Sequence, residues 1–587
     1  PMKVPSSLAI ATAFAASSVA ELDAKFYGIN YDFRTSQWGG CKSSHTIGDD
    51  FNILRRVTSS VRIYGTDDCA KRLIDAARNI GLNVWLGLWS EVGTTFVRDG
   101  REEKVVDSFP SQFKALRDLV NGTKLINNDN ILGIQVSSEA LYRYYVKGAG
   151  NTTGSSDRHG IDTVVDHLKT VRSYLRDHNL TFPVVISDIM DMYTMFPELY
   201  DEVDVVAVNQ FSFWENKTAE EGAHFTFKRF QEQETRAKRA GKLILLHEAG
   251  WSTAGEDPIV TEASPQAQGV FTQDFLTLAA RQNLNAFYFA AFDLPFGSTE
   301  IERNFGIHYS NRTLKPRVNA VHVGAPLQAV RLWAGDNVIK AHRYWNADDD
   351  SVNENFGHVY AAKPSVGPSG VWDDEIWLWD YKTNILYSKS SNQCLESVGN
   401  NNTQTLGTSP CSNVTNDQKW SFENGYIVNH NDAKFCIDVD VHGSCETTPN
   451  GNLVVKMSPC NVTKRRTLPI ISDLARIELI EFGIKTDGVL TELSGKVTWQ
   501  TTRQLDKAHH QWFYDLITTQ SIKNRFSSTC LDAPKRMNGG DVLLSECNAT
   551  NVNQNASDEV DALVYLLWCD KKDTNQQWNL KLVFFEA

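Results

Sequence analysis

The sequence lacks several features that define whole classes of protein. Its 58 Lys and Arg are outnumbered by 71 Asp and Glu, so the formal charge is −13 and the basic surface of a nucleic-acid-binding protein is missing. With 37 Gly and 17 Pro in 587 residues, it is neither collagen-like nor of low complexity. No Cys-x-x-Cys occurs and the 14 His are scattered, which argues against zinc. These absences favour an acidic, multidomain globular protein that has no zinc site and binds no nucleic acid.

Long apolar runs are also scarce, and the one near the N-terminus resembles an export signal. Residues 1–20 combine Lys3, a short apolar segment and the small residues Ser18, Val19 and Ala20, a pattern typical of a cleaved signal peptide. A buried N-terminal helix is the alternative. No other segment reaches the roughly 18 apolar residues of a membrane helix. Ten Asn-x-Ser/Thr sequons also fit an exported glycoprotein. We therefore expect a secreted, extracellular protein without a membrane partner.

Eight short apolar runs alternate with amphipathic stretches between Lys25 and Val323. The runs are rich in β-branched and aromatic residues without polar alternation, as strands buried on both faces are. They predict an α/β fold, a (β/α)8 TIM barrel over residues 24–323. An open doubly wound sheet is the alternative, but Asn30–Phe33 after the first run lacks its glycine-rich phosphate turn. The runs are Phe26–Tyr31, Val61–Tyr64, Val84–Trp89, Ile131–Ser137, Val184–Ser187, Val203–Asn209, Lys242–His247 and Ala286–Phe292.

The last third of the sequence is predicted to be a separate all-β module. Residues 324–373 are rich in Asn, Asp, Pro, Gly and Ser and are interpreted as a connecting segment. Eight of the ten Cys follow it, as in small disulfide-stabilised modules. A Cys-x-acidic element recurs three times, each followed by a polar-x-Trp element, which indicates an internally threefold unit over residues 374–587. These elements begin at Cys394, Cys436 and Cys530 and end at Trp420, Trp512 and Trp578.

Two glutamates at predicted strand ends are the candidate catalytic residues. Active sites of TIM barrels lie at the C-terminal ends of the strands, where Glu139 follows the fourth run and Glu248 the seventh. Two carboxylates across a barrel mouth can perform glycoside hydrolysis: one protonates the leaving oxygen, and the other attacks the anomeric carbon or activates water. A structural ion pair is the alternative, because Asp32, Asp188 and Asp293 also end strands. No Ser nucleophile elbow and no phosphate loop supports a rival chemistry.

Six ordered motifs between residues 26 and 310 resemble glycoside hydrolase family 17, the β-1,3-glucanases and glucanosyltransferases with (β/α)8 barrels. Ser138–Arg143 resembles the family's acid/base element and His247–Trp251 its nucleophile element. The resemblance implies a retaining mechanism on β-glucan, with Glu139 as acid/base, Glu248 as nucleophile and no cofactor. The other motifs are Val61–Gly65, Val84–Gly87, Asn209–Trp214 and Glu302–Gly306. The candidate substrate-binding residues are Tyr31, Arg62, Tyr64, Ser138, Asn209, Phe213, Trp251, Asp293 and Glu302.

The C-terminal repeats resemble the ricin-type β-trefoil. This resemblance implies buried Trp residues and one disulfide within each repeat, Cys394–Cys411, Cys436–Cys460 and Cys530–Cys547. It also implies a sugar site in the third repeat, formed by Asp532, Asn575 and Gln576. The stacking aromatic of such sites is replaced by Ser409, Ser458 and Ser545, so binding of a second wall carbohydrate and a purely structural module both stay open. Pairing of Cys41 with Cys69 and of Cys445 with Cys569 is likewise open.

Three functions are compatible with this sequence. The leading one is a secreted, monomeric endo-1,3-β-glucanase that degrades or remodels cell-wall glucan. A β-1,3-glucanosyltransferase differs only in using a sugar in place of water as acceptor. A carbohydrate-binding wall protein with an inactive barrel is the third, and the presence of both glutamates argues against it.

Overall fold

The computed structural model describes two stretches, residues 25–323 and 327–459, and eight separate strands between residues 475 and 584. The signal peptide predicted for residues 1–20 lies outside the described residues. The chain divides into two compact units, Pro1–Pro326 and Leu327–Ala587. The gaps inside the two stretches are residues 38, 67, 99–100, 124, 148–155, 283, 335–336, 364–372, 381, 399–404, 413, 424–425, 432–434 and 440–451.

The first unit contains a closed barrel of eight parallel strands, which confirms the predicted barrel. Each strand overlaps one of the eight apolar runs, and neighbours in the barrel follow the chain order, with the first strand closing on the eighth. An antiparallel hairpin, Thr94–Arg98 and Arg101–Val105, follows the third strand. The barrel strands are β1 (Gly28–Asn30), β2 (Ser60–Arg62), β3 (Asn83–Gly87), β4 (Ile131–Ser138), β5 (Val184–Ile189), β6 (Val206–Asn209), β7 (Ile244–Ala249) and β8 (Ala286–Tyr288).

Amphipathic helices connect the strands. In the helix after β4, Ile161, Val164 and Leu168 are buried three and four residues apart, so one stripe packs against the barrel. Thr218 and Glu221 form a capping box that starts the helix after β6. The helices are α1 (Ser44–Leu54), α2 (Asp68–Ile80), α3 (Phe109–Thr123), α4 (Ala140–Tyr142), α5 (His159–Asp177), α6 (Met190–Met195), α7 (Leu199–Glu202), α8 (Ala219–Arg239), α9 (Pro265–Gln282), α10 (Glu300–Arg303) and α11 (Pro316–Asn319). A π-helical turn, Arg143–Lys147, and 3-10 turns, Ser212–Trp214 and Asp373–Glu375, complete the helical elements of the described chain.

The interior of the barrel changes from apolar to polar along the strands. Side chains two residues apart on a strand share a face. One apolar cluster joins residues of five strands across the interior, Trp85, Val185, Ala207, Leu245 and Phe287. Two residues further along β5, β6 and β7 the same face carries Ser187, Asn209 and His247, all buried. The barrel is therefore filled with apolar side chains at its base and polar ones below its C-terminal mouth.

The second unit repeats one antiparallel pattern of four strands three times. In each copy the four strands pair in chain order, first with second, second with third and third with fourth. The first strand starts at a Trp, and the third strand carries the Cys-x-acidic element. The Cys faces a Ser in the same register each time: Cys394 opposite Ser409, Cys436 opposite Ser458 and Cys530 opposite Ser545. This repetition is compatible with the predicted β-trefoil. The copies are Trp377–Asp380, Ile385–Ser388, Cys394–Val398, Thr405–Ser409; Trp420–Glu423, Tyr426–Asn429, Phe435–Val439, Leu453–Pro459; and Trp512–Asp515, Ser521–Asn524, Cys530–Asp532, Leu543–Ser545.

The structure corrects the predicted connecting segment at residues 324–373. Strands formed by this segment belong to the second unit: Gln328 pairs with Trp379, and Tyr360 pairs with Val454. Short buried apolar pairs, such as Val338 and Ile339, are separated by Asn- and Asp-rich turns that conceal them in the sequence. The strands in this segment are Gln328–Val330, Trp333–Ala334, Asn337–Ala341, Trp345–Asn346, Ser351–Val352 and Val359–Ala362. Further strands of the unit are Ala475–Glu481, Ile484–Leu493, Lys496–Thr501 and Trp578–Phe584.

Two disulfides are present in full among the described residues. Cys394–Cys411 closes the first repeat as predicted, and Cys41–Cys69 joins the loop after β1 to α2. Cys436 is also disulfide-bonded, whereas its expected partner Cys460 lies outside the described residues. The predicted bridge Cys530–Cys547 falls outside the side chains that the structure describes. Within the described parts of the chain, none of the helices has the length and hydrophobicity that crossing a bilayer requires.

Trp420, which ends the first predicted repeat, belongs to the core, as the sequence predicts. Trp420 and Trp377 are fully buried, and the Trp420 indole N–H donates to the Leu395 carbonyl at 2.9 Å. Trp377 begins the first copy and was missed by the sequence pattern, which starts its repeats at the Cys. Trp512 and Trp578 start strands, but their side chains are not described.

Candidate active site

A cleft of about 1130 Å³ opens at the C-terminal ends of the barrel strands and contains both candidate glutamates. Glu139 directly follows β4, and Glu248 is the last residue but one of β7. Five of the predicted substrate-binding residues also line this cleft: Tyr31, Tyr64, Ser138, Asn209 and Glu302. The structure thus brings together side chains that are up to 271 positions apart in the sequence.

Two predicted substrate-binding residues lie in the core instead. Phe213 and Trp251 are fully buried and pack edge to face, with ring centroids 5.2 Å apart. The Trp251 indole donates to the Glu262 carbonyl at 2.9 Å, so its polar atom is also satisfied inside the protein. Aromatic residues near strand ends can face either the cleft or the surrounding helices, and the sequence does not distinguish these directions. Phe213 and Trp251 therefore support the barrel rim and do not line the cleft.

Arg62 and Asp293 also lie outside the cleft lining. The Asp293 carboxylate pairs with Lys315 Nζ at 2.8 Å and accepts the Gly306 backbone N–H at 3.0 Å. This pair fixes the segment after β8, which is a structural role. Arg62 is fully buried below the cleft floor, where it contacts Glu248 directly. Its place is beneath a candidate catalytic residue rather than against substrate.

The Glu248 carboxylate is held by three donors that converge on one oxygen. Oε1 accepts from Arg62 Nη1 at 2.5 Å, from the Tyr64 hydroxyl at 3.0 Å and from Ser138 Oγ at 3.4 Å. Burial and the charge on Glu248 raise the pKa of Tyr64, so this phenol stays a neutral donor. The Arg62 charge balances that of a Glu248 carboxylate, and charge-assisted hydrogen bonds of this kind are the strong ones. These contacts fix the orientation of the Glu248 carboxylate.

Glu139 has the opposite environment. Burial, followed by the charge on Glu248, raises its pKa to about 7, although Asn209, Arg143 and Arg62 act in the other direction. Asn209 Nδ2 donates to Glu139 Oε1 at 3.0 Å. Glu139 also has a left-handed backbone with φ of 56°, an uncommon conformation for a residue with a side chain, and its N–H donates to the Ser187 carbonyl at 2.8 Å. Glu139 is therefore a neutral acid below pH 7, next to a charged partner.

Asp188, at the end of β5, holds the turn that carries Glu139. Its buried carboxyl group accepts the backbone N–H groups of Leu141 at 2.9 Å and Tyr142 at 3.3 Å, two and three residues after Glu139. Burial, and then the charge on Glu139, raise the pKa of Asp188 to about 8. The sequence places Asp188 at a strand end, but nothing in it shows that this carboxylate binds the backbone of the neighbouring loop.

The rim of the cleft carries an exposed indole held by two charged side chains. Trp89 is 38% exposed. The Arg143 guanidinium lies 4.5 Å above its ring, and Glu91 accepts hydrogen bonds from both the Trp89 indole at 3.1 Å and Arg143 Nε at 2.9 Å. An aromatic face fixed in this way can stack against the apolar face of a sugar ring.

Several residues around the site were missed because they resemble ordinary strand residues. Gln135 and Ser187 are polar interruptions of apolar runs, and this was the available signal for them. Both are fully buried and hydrogen-bond to Arg62: Gln135 Oε1 accepts from Nε at 3.1 Å and Ser187 Oγ from Nη2 at 3.2 Å. Among the described residues, no group of three His, Cys, Asp or Glu side chains is arranged to hold a metal ion.

The predicted sugar site of the C-terminal module cannot be described: Asp532 ends a strand whose side chains are not described, and Asn575 and Gln576 lie outside the described residues. The first repeat can be described. There Gln418 Nε2 donates to Glu396 Oε2 at 3.1 Å and to Ser409 Oγ at 2.8 Å, and Gln418 Oε1 accepts the Ser412 N–H at 2.7 Å. Glu396 and Gln418 occupy the positions that bind sugar hydroxyls in ricin-type repeats. Here they hydrogen-bond to each other, so in this repeat they stabilise the module itself.

Comparison with known proteins agrees with this barrel. Residues 28–306 match the family described as the BtgE/BtgC glycoside hydrolase domain. The matched region contains both candidate glutamates, so the barrel is similar to a glycoside hydrolase domain over this range.

Two curated relatives and one solved structure are similar to the same region. Glucan endo-1,3-beta-glucosidase btgC of Emericella nidulans is 25% identical over 311 residues, which are 49% of this chain and 44% of the relative. Glucan 1,3-beta-glucosidase of Arthroderma benhamiae is 25% identical over 338 residues, which are 54% of this chain and 96% of the relative. An active-site mutant of Rhizomucor miehei beta-1,3-glucanosyltransferase in complex with laminaritriose is 26% identical, with a TM-score of 0.41 over 51% of this chain and 98% of that one. The chain thus spans less than half the length of the Emericella relative.

Replacement of Trp251 tests its assignment to the core. Trp251→Ala is expected to lower the free energy of unfolding by about 3–5 kcal/mol, because it empties a buried aromatic site. Trp89→Ala is the matched control: this indole is 38% exposed, so its removal should cost less than half as much. Thermal unfolding of both variants measures the difference. Equal losses, or a loss below about 1 kcal/mol for Trp251→Ala, would contradict the burial assignment.

The raised pKa of Glu139 predicts how stability depends on pH. Between the ordinary value of 4.5 and about 7 the folded protein binds more protons than the unfolded chain, so this group makes stability fall as pH rises. Glu139→Gln keeps the shape and cannot ionise. Relative to wild type it should gain up to about 3 kcal/mol of stability between pH 4 and pH 8. Urea unfolding of both proteins at the two pH values checks this, and an advantage that does not grow with pH would refute the raised pKa.

Proposed function

We propose that the barrel is a retaining glycoside hydrolase that cleaves β-1,3-glucan internally. The main support for this proposal is the pair of glutamates in one cleft. The surroundings of Glu139 raise its pKa to about 7, and Glu248 forms an ion pair with the buried Arg62. This division of roles between two carboxyl groups is what glycoside hydrolysis requires. The names of the two curated relatives support β-1,3-glucan as the substrate.

In the proposed mechanism, Glu139 gives its proton to the glycosidic oxygen while Glu248 attacks the anomeric carbon. The bond from that carbon to the leaving oxygen breaks, and an ester to Glu248 forms. Glu139, now ionised, takes a proton from a water molecule, which attacks the anomeric carbon and releases Glu248. The three donors to Oε1 of Glu248 orient the carboxylate and leave its other oxygen for attack.

The β-1,3-glucanosyltransferase alternative shares every step up to the ester. It differs only when a sugar hydroxyl replaces water as the acceptor. Product analysis on linear β-1,3-glucan oligosaccharides separates the two. Hydrolysis gives shorter products alone, whereas transfer also gives products longer than the substrate. A carbohydrate-binding protein without turnover would leave the oligosaccharides unchanged.

We extend the proposal to secretion and action at the cell wall. Four sequon asparagines lie in the described part of the barrel unit, and all four are exposed, as glycan attachment requires: Asn121, Asn179, Asn216 and Asn311. This exposure and the predicted signal peptide support an extracellular location. Enzymatic removal of N-glycans tests this location. The protein from the culture medium of its native host should then migrate faster in gel electrophoresis, and its absence from the medium would contradict secretion.

Glu139→Ala tests the acid/base role. Without the acid, turnover of aryl glucosides with poor leaving groups should fall about 10²–10⁴-fold. For substrates whose leaving group needs no proton, the rate of ester formation should fall far less. Azide should then restore turnover of the good leaving groups, because it attacks the ester without needing a base and gives a glycosyl azide. Equal losses on both substrate types, with no rescue by azide, would contradict the assignment.

A further inference from the structure

The hydroxyl of Ser187 hydrogen-bonds to partners of both candidate catalytic glutamates and to neither glutamate itself. Ser187 is on β5, is fully buried and does not line the cleft. Its Oγ is 3.2 Å from Arg62 Nη2, 3.1 Å from Asn209 Oδ1 and 3.1 Å from His247 Nδ1. Arg62 holds Glu248, and Asn209 holds Glu139. A continuous hydrogen-bonded chain therefore runs from one glutamate to the other through Ser187.

The chemistry of the partners sets the direction of each hydrogen bond in this chain. A guanidinium group only donates, so Ser187 accepts from Arg62. Asn209 donates its Nδ2 to Glu139, which turns its Oδ1 towards Ser187. The single Ser187 proton goes to that Oδ1, so His247 must donate from Nδ1. Burial and the charge of Arg62 lower the pKa of His247, which is therefore neutral and carries its one proton there.

The orientation of Asn209 matters because of what Glu139 must do. With Nδ2 on Oε1, that oxygen is occupied as an acceptor, and the proton of the neutral acid is left on Oε2. A flipped amide would present its carbonyl to Oε1 and draw the proton inward, away from a glycosidic oxygen in the cleft. Among the described residues, Asn209 is the one side chain that hydrogen-bonds to the Glu139 carboxyl group.

We propose that Ser187 is a positioning residue that fixes the Asn209 amide and thereby decides which oxygen of Glu139 carries the transferable proton. It acts through Asn209 and touches no substrate. This inference rests on the proposed function, since it concerns the proton that Glu139 gives to the leaving oxygen. A purely structural Ser187 would instead satisfy Arg62 and His247 and affect all substrates alike.

Ser187→Ala tests this with aryl β-glycosides of good and poor leaving groups. The variant should lose at least about tenfold in kcat on the poor leaving groups and less than about threefold on the good ones, with KM nearly unchanged on both. Ser137→Ala is the matched control, because Ser137 is a buried serine of the neighbouring strand β4 whose hydroxyl has no hydrogen-bond partner among the described residues. It should keep wild-type kcat on both substrates.

A double-mutant cycle with Asn209→Ala shows whether Ser187 acts through this amide. Asn209→Ala alone should show the same dependence on leaving group, and adding Ser187→Ala to it should change kcat by less than about twofold. The single Asn209 variant provides this signature even where Ser187→Ala does not fold, and Ser187→Thr, which keeps the hydroxyl, should retain selectivity between leaving groups. Equal losses on both substrates, multiplicative losses in the double variant, or no leaving-group dependence in Asn209→Ala would overturn the proposal.

The outcome is distinguishable from failure of the proposed function. If Glu139→Ala shows no leaving-group dependence and no azide rescue, the acid/base assignment itself is wrong. If Glu139→Ala behaves as expected while Ser187→Ala matches Ser137→Ala, only the positioning role is lost.

Discussion

The buried guanidinium of Arg62 is the charge around which the cleft is arranged. It is fully buried at the end of β2 and donates to Glu248, Ser138, Ser187, Asn30 and Gln135. A charge in such a place is costly unless it is paired and hydrogen-bonded, and removing one partner of a buried pair typically costs about 3–5 kcal/mol. Arg62 forms an ion pair with Glu248, and the charge on Glu248 adds to the effect of burial in raising the pKa of Glu139. Burial of Glu139 and the ion pair between Arg62 and Glu248 together make the two carboxyl groups different.

The barrel delivers this arrangement through a change in the side chains that face its interior. Val185, Ala207 and Leu245 fill the base, and two residues later the same strands present Ser187, Asn209 and His247. The hydrogen bonds among these polar groups fix them relative to strands that are themselves closed into a barrel. Positions held by eight paired strands are more rigid than positions on loops, which suits a site in which both carboxyl groups must keep their orientation.

The sequence predicts the barrel and its two glutamates well because both depend on local pattern. Each strand is a short apolar run, and Glu139 and Glu248 stand where such runs end. The direction of a side chain at a strand end is not local, because tertiary packing decides it: Phe213 and Trp251 turn into the core, whereas Tyr64 turns to the cleft.

Contacts that support the catalytic residues without touching the cleft could not be predicted from the sequence, for a related reason. Asp188 binds backbone N–H groups of a different strand's loop, and a hydrogen bond to a backbone leaves no trace in the sequence of that loop. The strands within residues 324–373 were missed because their apolar segments are only two to five residues long and are separated by Asn- and Asp-rich turns, which dominate the composition.

Covalent trapping tests most directly whether Glu248 is the nucleophile of the pair. A β-glucoside with fluorine at C2 and a good leaving group slows hydrolysis of the ester more than its formation, so the ester accumulates. Mass spectrometry of the digested protein should find one fluoroglucosyl group, on the peptide that contains Glu248, with loss of activity in proportion. Labelling of Glu139 in place of Glu248, or complete inactivation with neither glutamate labelled, would contradict this account.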